Sequence, residues 1–469
     1  MSIKRARTRA TAALAALAAA LITANGQTQP AESLVNKLVQ KGILTESEAK
    51  ELLSESTHTN APPPSKWKIS DSIKSIGLYG DVRFRYEHRS ADNAPGSGES
   101  GSTYERDRFR YAVRIGIRGD LFDDFYYGLR VETSSNPRSP WVTFGDDSNP
   151  TPSAKNSDTI AVGQVYLGWR PANWLELTVG RMPMPLYVTP MIWDSDINPE
   201  GIAEKFKHSI GDVDLFANFG QFVYQNLNSD NRLDTFVLAG QAGANVNLAK
   251  DISFKAAPVL YTYTGNGQNN GLNTPFSGQG LNGLNPNTTG YNQNGINDLL
   301  VLEIPAELNF KVGQHNARLF GDFAYNFQGN DRARAAVGAT APAGDLPSAV
   351  TGQNMAYQVG IGYGNLGLVY GQTSKKNTWE ARVYWQHVEQ YAADVNLLDS
   401  DFFEGRANLE GIYAAFAYSI TDNIIGTLRY GYARTINNGL GTGGNNSDLA
   451  NLNPINNYNL FQLDLTWRF

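Results

Sequence analysis

The sequence predicts a transmembrane antiparallel up-and-down β-barrel of about sixteen strands, preceded by a short helical segment. Three observations carry this reading. Phe461 to Phe469 alternates apolar and polar residues without a break, the period of a half-buried strand. Segments of the same rhythm recur from Ile76 onward. The connections between them alternate short and long, as in a barrel whose turns lie on one side and loops on the other. No apolar run reaches the ~18 residues of a membrane helix. A closed barrel needs none, because it pairs its backbone between strands and requires only every second residue to be apolar.

The first element is an export signal over 1–26. Lys4, Arg5, Arg7 and Arg9 precede the uncharged stretch Ala10 to Ile22, and Ala24-Asn25-Gly26 fits cleavage before Gln27. Loss of those four cations takes the formal charge from −6 to −10. No polybasic segment remains, so nucleic acid is not an expected partner. Cysteine is absent, which is compatible with an oxidising compartment. Residues 27–60 read as a helical segment. Leu34, Val35, Leu38 and Val39 share one face, Gly42 stops that helix, and Thr45 with Glu48 forms a capping box for a second. Residues 61–75 are a linker stiffened by Pro62, Pro63 and Pro64.

The barrel occupies 76–469. In its clearest strand Phe109, Tyr111, Val113, Ile115 and Ile117 alternate with Arg108, Arg110, Ala112, Arg114, Gly116 and Arg118. Later expected strands include Ile252 to Thr264, Asp298 to Phe310 and Met355 to Gln372. Short connections such as Pro171 to Asn173 and Lys311 to Gly313 alternate with long ones such as Pro183 to Gly201 and Glu389 to Arg406. Two aromatic girdles are expected at the two interfaces. Phe122, Phe125, Trp169, Trp174, Phe310, Trp379, Trp467 and Phe469 form one. Tyr86, Tyr224, Tyr261, Tyr263, Tyr325, Phe327, Tyr430 and Tyr432 form the other.

A barrel of this size is too wide for side chains to fill, so a polar lumen implies water. Arg83, Arg85, Arg108, Arg110, Arg114, Arg118 and Arg130 on the first three strands, with Arg429 and Arg468 on the last two, are expected to form one basic wall of that lumen. Asp214, Glu303, Glu307 and Asp322 stand on strands expected to face it. The third long connection supplies a candidate constriction: Arg181, Trp193, Asp194, Asp196 and Glu200.

That connection, with Gly180-Arg181-Met182, a proline, Trp193-Asp194-Ser195-Asp196 and Pro199-Glu200-Gly201, resembles the signature of a bacterial putative-porin family. Lys41-Gly42-Ile43-Leu44-Thr45-Glu46-Ser47-Glu48-Ala49 and Val213 to Gly220 are similar to the same family. The resemblance implies an outer-membrane porin, a water-filled channel for passive diffusion of small hydrophilic solutes and ions. The helical segment would lie in the periplasm, and the third outside loop would narrow the lumen. Its expected partners are outer-membrane lipid, the barrel assembly machinery (which would read Phe469 as its signal), small solutes, and two further copies in a homotrimer. Ala239, Gly243, Ala415 and Ala417 are candidate protomer contacts. No catalytic residue, metal or cofactor is expected, because no triad-like or metal-ligand spacing is present. The alternative is a non-conducting barrel used for adhesion or envelope anchoring.

Overall fold

The computed structural model describes residues 70–93, 103–134, 136, 138–145, 159–225, 234–265, 295–337, 351–438, 440–442 and 455–469. The expected export signal, helical segment and first part of the linker lie outside them. Ser72 to Phe469 forms one compact unit.

Its sixteen strands close into an antiparallel barrel. They are β1 Gly77–Asn93, β2 Thr103–Asp120, β3 Phe125–Thr133, β4 Ile160–Ala172, β5 Leu175–Arg181, β6 Glu200–Ile210, β7 Val213–Gln225 and β8 Thr235–Ala249. There follow β9 (Ile252–Ala256 and Val259–Thr264), β10 (Leu300–Glu303 and Ala306–Val312), β11 His315–Asn326, β12 Met355–Gly364, β13 Trp379–Val388, β14 Leu409–Ser419, β15 Ile424–Thr435 and β16 Ile455–Arg468. One helix, α1 Gly329–Val337, lies between β11 and β12. A two-residue strand, Val142–Thr143, pairs with Tyr111 and Arg110 of β2.

Each strand pairs with its neighbours in sequence, and β1 pairs with β16 from Asp81↔Arg468 to Asn93↔Ile455. The last residue completes the seam: the Phe469 N–H donates to the Gly80 carbonyl at 3.1 Å, and the Gly80 N–H returns to Phe469 at 3.0 Å. Closure leaves no edge to solvate, the condition for crossing hydrocarbon with strands.

Burial inverts the order of a soluble protein. Phe84, Phe109, Ile115, Val359, Ile361 and Leu463 are exposed on the outer face, whereas Glu87, Gln241, Glu303, Glu380 and Gln462 are buried inside. Pro258 and Pro305, which cannot donate to a ladder, divide β9 and β10 at neighbouring positions. Their carbonyls still accept, from Ala242 and Ala257 respectively, each at 3.1 Å, so the wall stays continuous.

Three expectations change. The strand expected to reach Gln372 ends at Gly364, and the chain turns into the lumen before β13 begins at Trp379. Ala239 and Ala415 are buried on the lumenal face, and Gly243 and Ala417 share its parity, so none is available for protomer contact. Tyr261 and Tyr263 are also buried inside rather than set in an outer girdle. They face inward by alternation, and inserted loops give them an apolar neighbour. The girdle beside the short turns is present: Phe125 stacks on Trp169, Trp174 on Phe206, and Trp467 leans on Phe469.

Candidate functional site: the lumen and the segments folded into it

Alternation delivers every arginine of the expected basic wall to the lumen. Arg83, Arg85, Arg114, Arg429 and Arg468 line a central cavity of about 510 Å³. Arg118 and Arg130 line a second, of about 450 Å³, towards the short-turn end. Arg108 and Arg110 meet Glu87 at 2.5 and 3.7 Å.

The opposing charge comes first from the wall itself. Asp81 holds Arg83 at 2.6 Å and Arg114 at 3.0 Å. Glu132 holds Arg130 at 2.9 Å. Asp464 accepts two bonds from Arg85, at 2.7 and 3.0 Å, and pairs with Arg429. Glu87, fully buried, lies among Arg85, Arg89, Arg108 and Arg110. Residues two apart in a strand share a face, so Asp81/Arg83, Glu87/Arg89, Arg130/Glu132 and Glu380/Arg382 are local devices that keep the arginines apart. Among the described residues Arg118 and Arg468 have no ion pair; Arg118 lies 4.8 Å from the Tyr79 ring centre. On the far wall Glu307 meets Arg318 at 3.4 Å, and Asp214 accepts from Ser209.

The connection from Met182 to Pro199, here L3, crosses the inside of the barrel. Gln241 of β8 grips Tyr187 by its N–H (2.9 Å) and its carbonyl (2.7 Å). The Thr189 N–H donates to Glu303 at 3.1 Å, and its hydroxyl to Asp322. Trp193 packs edge-on against Phe222 and beside Tyr261. The chain then returns to the basic wall: Asp196 meets Arg114 at 3.4 Å, and Asn198 accepts from Gln164 at 2.8 Å.

Of the five residues expected to form the constriction, Trp193, Asp194 and Asp196 lie in this inserted loop. Asp194 does not face the arginines of the wall. Its carboxylate accepts the N–H groups of Asp196 (2.9 Å) and Ser400 (3.0 Å), which ties L3 to a second loop. Arg181 and Glu200 are the last residue of β5 and the first of β6, paired at 3.3 Å. Arg181 stands opposite the exposed Val165, so both belong to the outer face. The spacing that made them look like loop residues reflects only where the chain leaves and re-enters the wall.

The second inserted loop, L7, runs from Glu389 to Asn408. Asp394 accepts from the Tyr263 hydroxyl at 2.7 Å, and the Asp399 N–H donates to Pro190 of L3 at 3.1 Å. Asp401 pairs with Arg85 at 2.8 Å. Phe402 packs against Tyr384 and Tyr413, and Phe403 packs against Phe402. A third segment, Asn365 to Thr378, enters from the opposite end. The Val369 N–H donates to Glu380 at 2.9 Å, its carbonyl accepts from Arg429 at 3.1 Å, and Arg382 covers Tyr370 at 4.5 Å. L7 was legible in principle, since Tyr391, Val395, Leu397, Leu398, Phe402 and Phe403 are too apolar for a solvated loop.

Burial raises the Asp194 carboxyl well above the usual range, and Asp399 and Asp196 add to it. Burial also raises Asp196, although Arg114 opposes this. Asp399 is pushed up to about 6 by burial and by Asp401. Asp401 itself is held low, because Arg85 and Arg89 outweigh its burial. The arrangement can therefore offer a polarised chamber with protonatable groups at its loop-side roof. Among the described residues, no group of three His, Cys, Asp or Glu is arranged to hold a metal ion.

A sixteen-stranded barrel with apolar outside, charged lumen and loops folded inward defines a large outer-membrane barrel of the porin class. The chain belongs to the family described as "Putative porin", which it matches over residues 96–311 and 285–469. The sequence matches none of the curated proteins. Among solved structures it is similar to OprB of Pseudomonas putida, with 11% identity over 84% of this chain and 94% of that one and a TM-score of 0.47. It is also similar to OmpT, an outer membrane protein of Vibrio cholerae, with 10% identity over 85% and 100% of the two chains and a TM-score of 0.40. A triple mutant of the Rhodopseudomonas blastica porin gives 12% identity over 84% and 100%, with a TM-score of 0.40.

Proposed function

We propose that this chain is a water-filled channel for passive diffusion of small hydrophilic solutes and ions, narrowed by L3 acting together with L7. The observation that carries the reading is the central cavity. It lies inside a closed barrel, Arg83, Arg114 and Arg429 line one side and Glu307 another, and Asp196 and Asp401 are lowered into it by the two loops. Fixed charges of both signs across a wet gap give a transverse field that orients dipolar solutes and screens with salt. In this reading 1–26 is removed on export, 27–60 lies in the periplasm, Phe469 is read by the assembly machinery, and the barrel works as a homotrimer.

One observation favours a non-conducting barrel for adhesion or anchoring: the loop-side half of the lumen is packed with buried Trp193, Tyr391, Phe402 and Phe403. Single-channel recording in a planar bilayer separates the two. Stepwise, salt-dependent conductance is the expected result, and a folded barrel that inserts without conducting would overturn the channel reading.

A further inference from the structure

The central cavity has a floor as well as a roof. The inserted segment Asn365 to Thr378 lies on the short-turn side, where outer-membrane barrels ordinarily keep tight turns. Its apolar part is seated in the barrel, with Leu368 and Val369 buried. Its far end is tied to the next turn: Ser374 donates to the Asp422 carbonyl at 2.5 Å, and the Lys376 N–H to the Asp422 carboxylate at 2.8 Å. Gly371, with φ +65°, turns the tip and leaves Gln372 exposed. Gln372 lines both the central cavity and the one of about 450 Å³ below it. Among the described residues, only Asp81, Arg114 and Arg468 also line both, so these four bound the passage between them.

Below that passage the charge is unbalanced. Asp81 is the one acidic side chain among the described residues lining the lower cavity, and it already holds Arg83 and Arg114. Glu132 offsets Arg130. Elsewhere the wall sets a carboxylate two residues from an arginine, but this device is missing at the two that remain. Beside Arg118, Asp120 is taken by Arg170 at 3.3 Å, and beside Arg468 stands Thr466. Arg118 lies over the Tyr79 ring, and the Arg468 Cδ runs 3.9 Å from where a Cβ on Gly371 would stand. Neither contact uses the planar fork of N–H donors that matches a carboxylate or phosphate.

We propose that the lower cavity binds small oxyanions, solutes bearing a carboxylate or phosphate, through Arg118 and Arg468, with Gln372 at its entrance from the central cavity. An oxyanion suits the site better than a halide because a guanidinium offers it two parallel bonds. The closed wall keeps lipid headgroups out. The inference rests on the reading of the lumen as open to solutes and names a solute class for it, but occupancy is measured without current.

The test is isothermal titration of the full chain, folded in detergent at low ionic strength, with sodium phosphate, sodium succinate and sodium chloride. Saturable binding of phosphate and succinate, and none of chloride at the same concentrations, is expected. Arg118→Gln with Arg468→Gln should weaken it roughly tenfold or more. Heat-modifiable mobility establishes folding, and Arg468→Gln alone serves if the double variant fails it. Lys207→Gln, the same loss of charge elsewhere in the lumen, should leave binding unchanged. Absence of saturation, equal binding of chloride, no effect of the arginine variants, or an equal loss in Lys207→Gln would overturn the proposal. Conductance of the same samples is read separately. A barrel that binds phosphate without conducting would sink the channel reading and leave this site standing, and one that conducts without binding would do the reverse.

Discussion

Neutralising Asp399 should weaken the pH dependence of the loop-side constriction, to which Asp194 and Asp196 also contribute. Asp399 lies where L7 meets L3: its N–H donates to Pro190, and Asp194, Asp196 and Asp401 are its acidic neighbours. The facing cations are Arg85 and Arg89 of β1 and Arg138, which donates to Leu398 at 2.8 Å. A carboxyl raised from 3.8 to about 6 gives inserted loops stability that is fully present below pH ~4 and lost as pH rises through ~6. The full shift corresponds to about 3 kcal/mol. Asp399 lines the central cavity, so water in the proposed channel would screen part of this, and about 1–2 kcal/mol is the working figure. That is a roughly 5- to 30-fold change in the ratio of displaced to inserted loops. Asp194 and Asp196 shift in the same direction; Asp401, held low, titrates below this window. Single-channel traces at pH 4.5 and 7.5 should show more frequent openings at the higher pH, and Asp399→Asn should narrow the difference between the two. An unchanged pH profile in Asp399→Asn, or openings that increase on acidification, would refute the reasoning.

Four further outcomes are expected. Neutralising Asp196, Asp399 and Asp401 should move the reversal potential towards anions, and changing Arg83, Arg114 and Arg468 to Gln should move it towards cations, both fading above ~1 M salt. Deleting Phe469 removes both hydrogen bonds to Gly80 at the seam and should lower the yield of heat-modifiable barrel without altering the molecules that do fold. Tyr370→Ala strips the ring that Arg382 covers on the segment entering from the short-turn end, and should raise unitary conductance. A chain beginning at Lys66 should still give a conducting barrel, as measured in a planar bilayer, which tests the expectation that the linker prolines isolate what precedes it.

Alternation by itself determined the barrel. A period of two fixes which side chains share a face, so the parity of Arg108, Arg110, Arg114 and Arg118 against Phe109, Ile115 and Ile117 assigned lumen and lipid before any contact was known. Pairs such as Asp81/Arg83 were legible for the same reason. Parity fails where the chain leaves the wall. Arg181 and Glu200 look like loop residues in sequence yet close the tops of β5 and β6, because a strand ends only where its neighbour stops offering hydrogen bonds. Tyr261 and Tyr263 read as girdle residues from their place at the end of a strand, yet the inserted loops give them inward partners in Trp193 and Asp394. Asp394 and Phe402 lie in L7, whose apolar residues mark it as unlike a solvated loop but do not say where in the lumen it docks. The tertiary structure alone decided that two loops, rather than one, descend onto the basic wall, because their docking depends on apolar surface and hydrogen bonds supplied by strands far away in the chain.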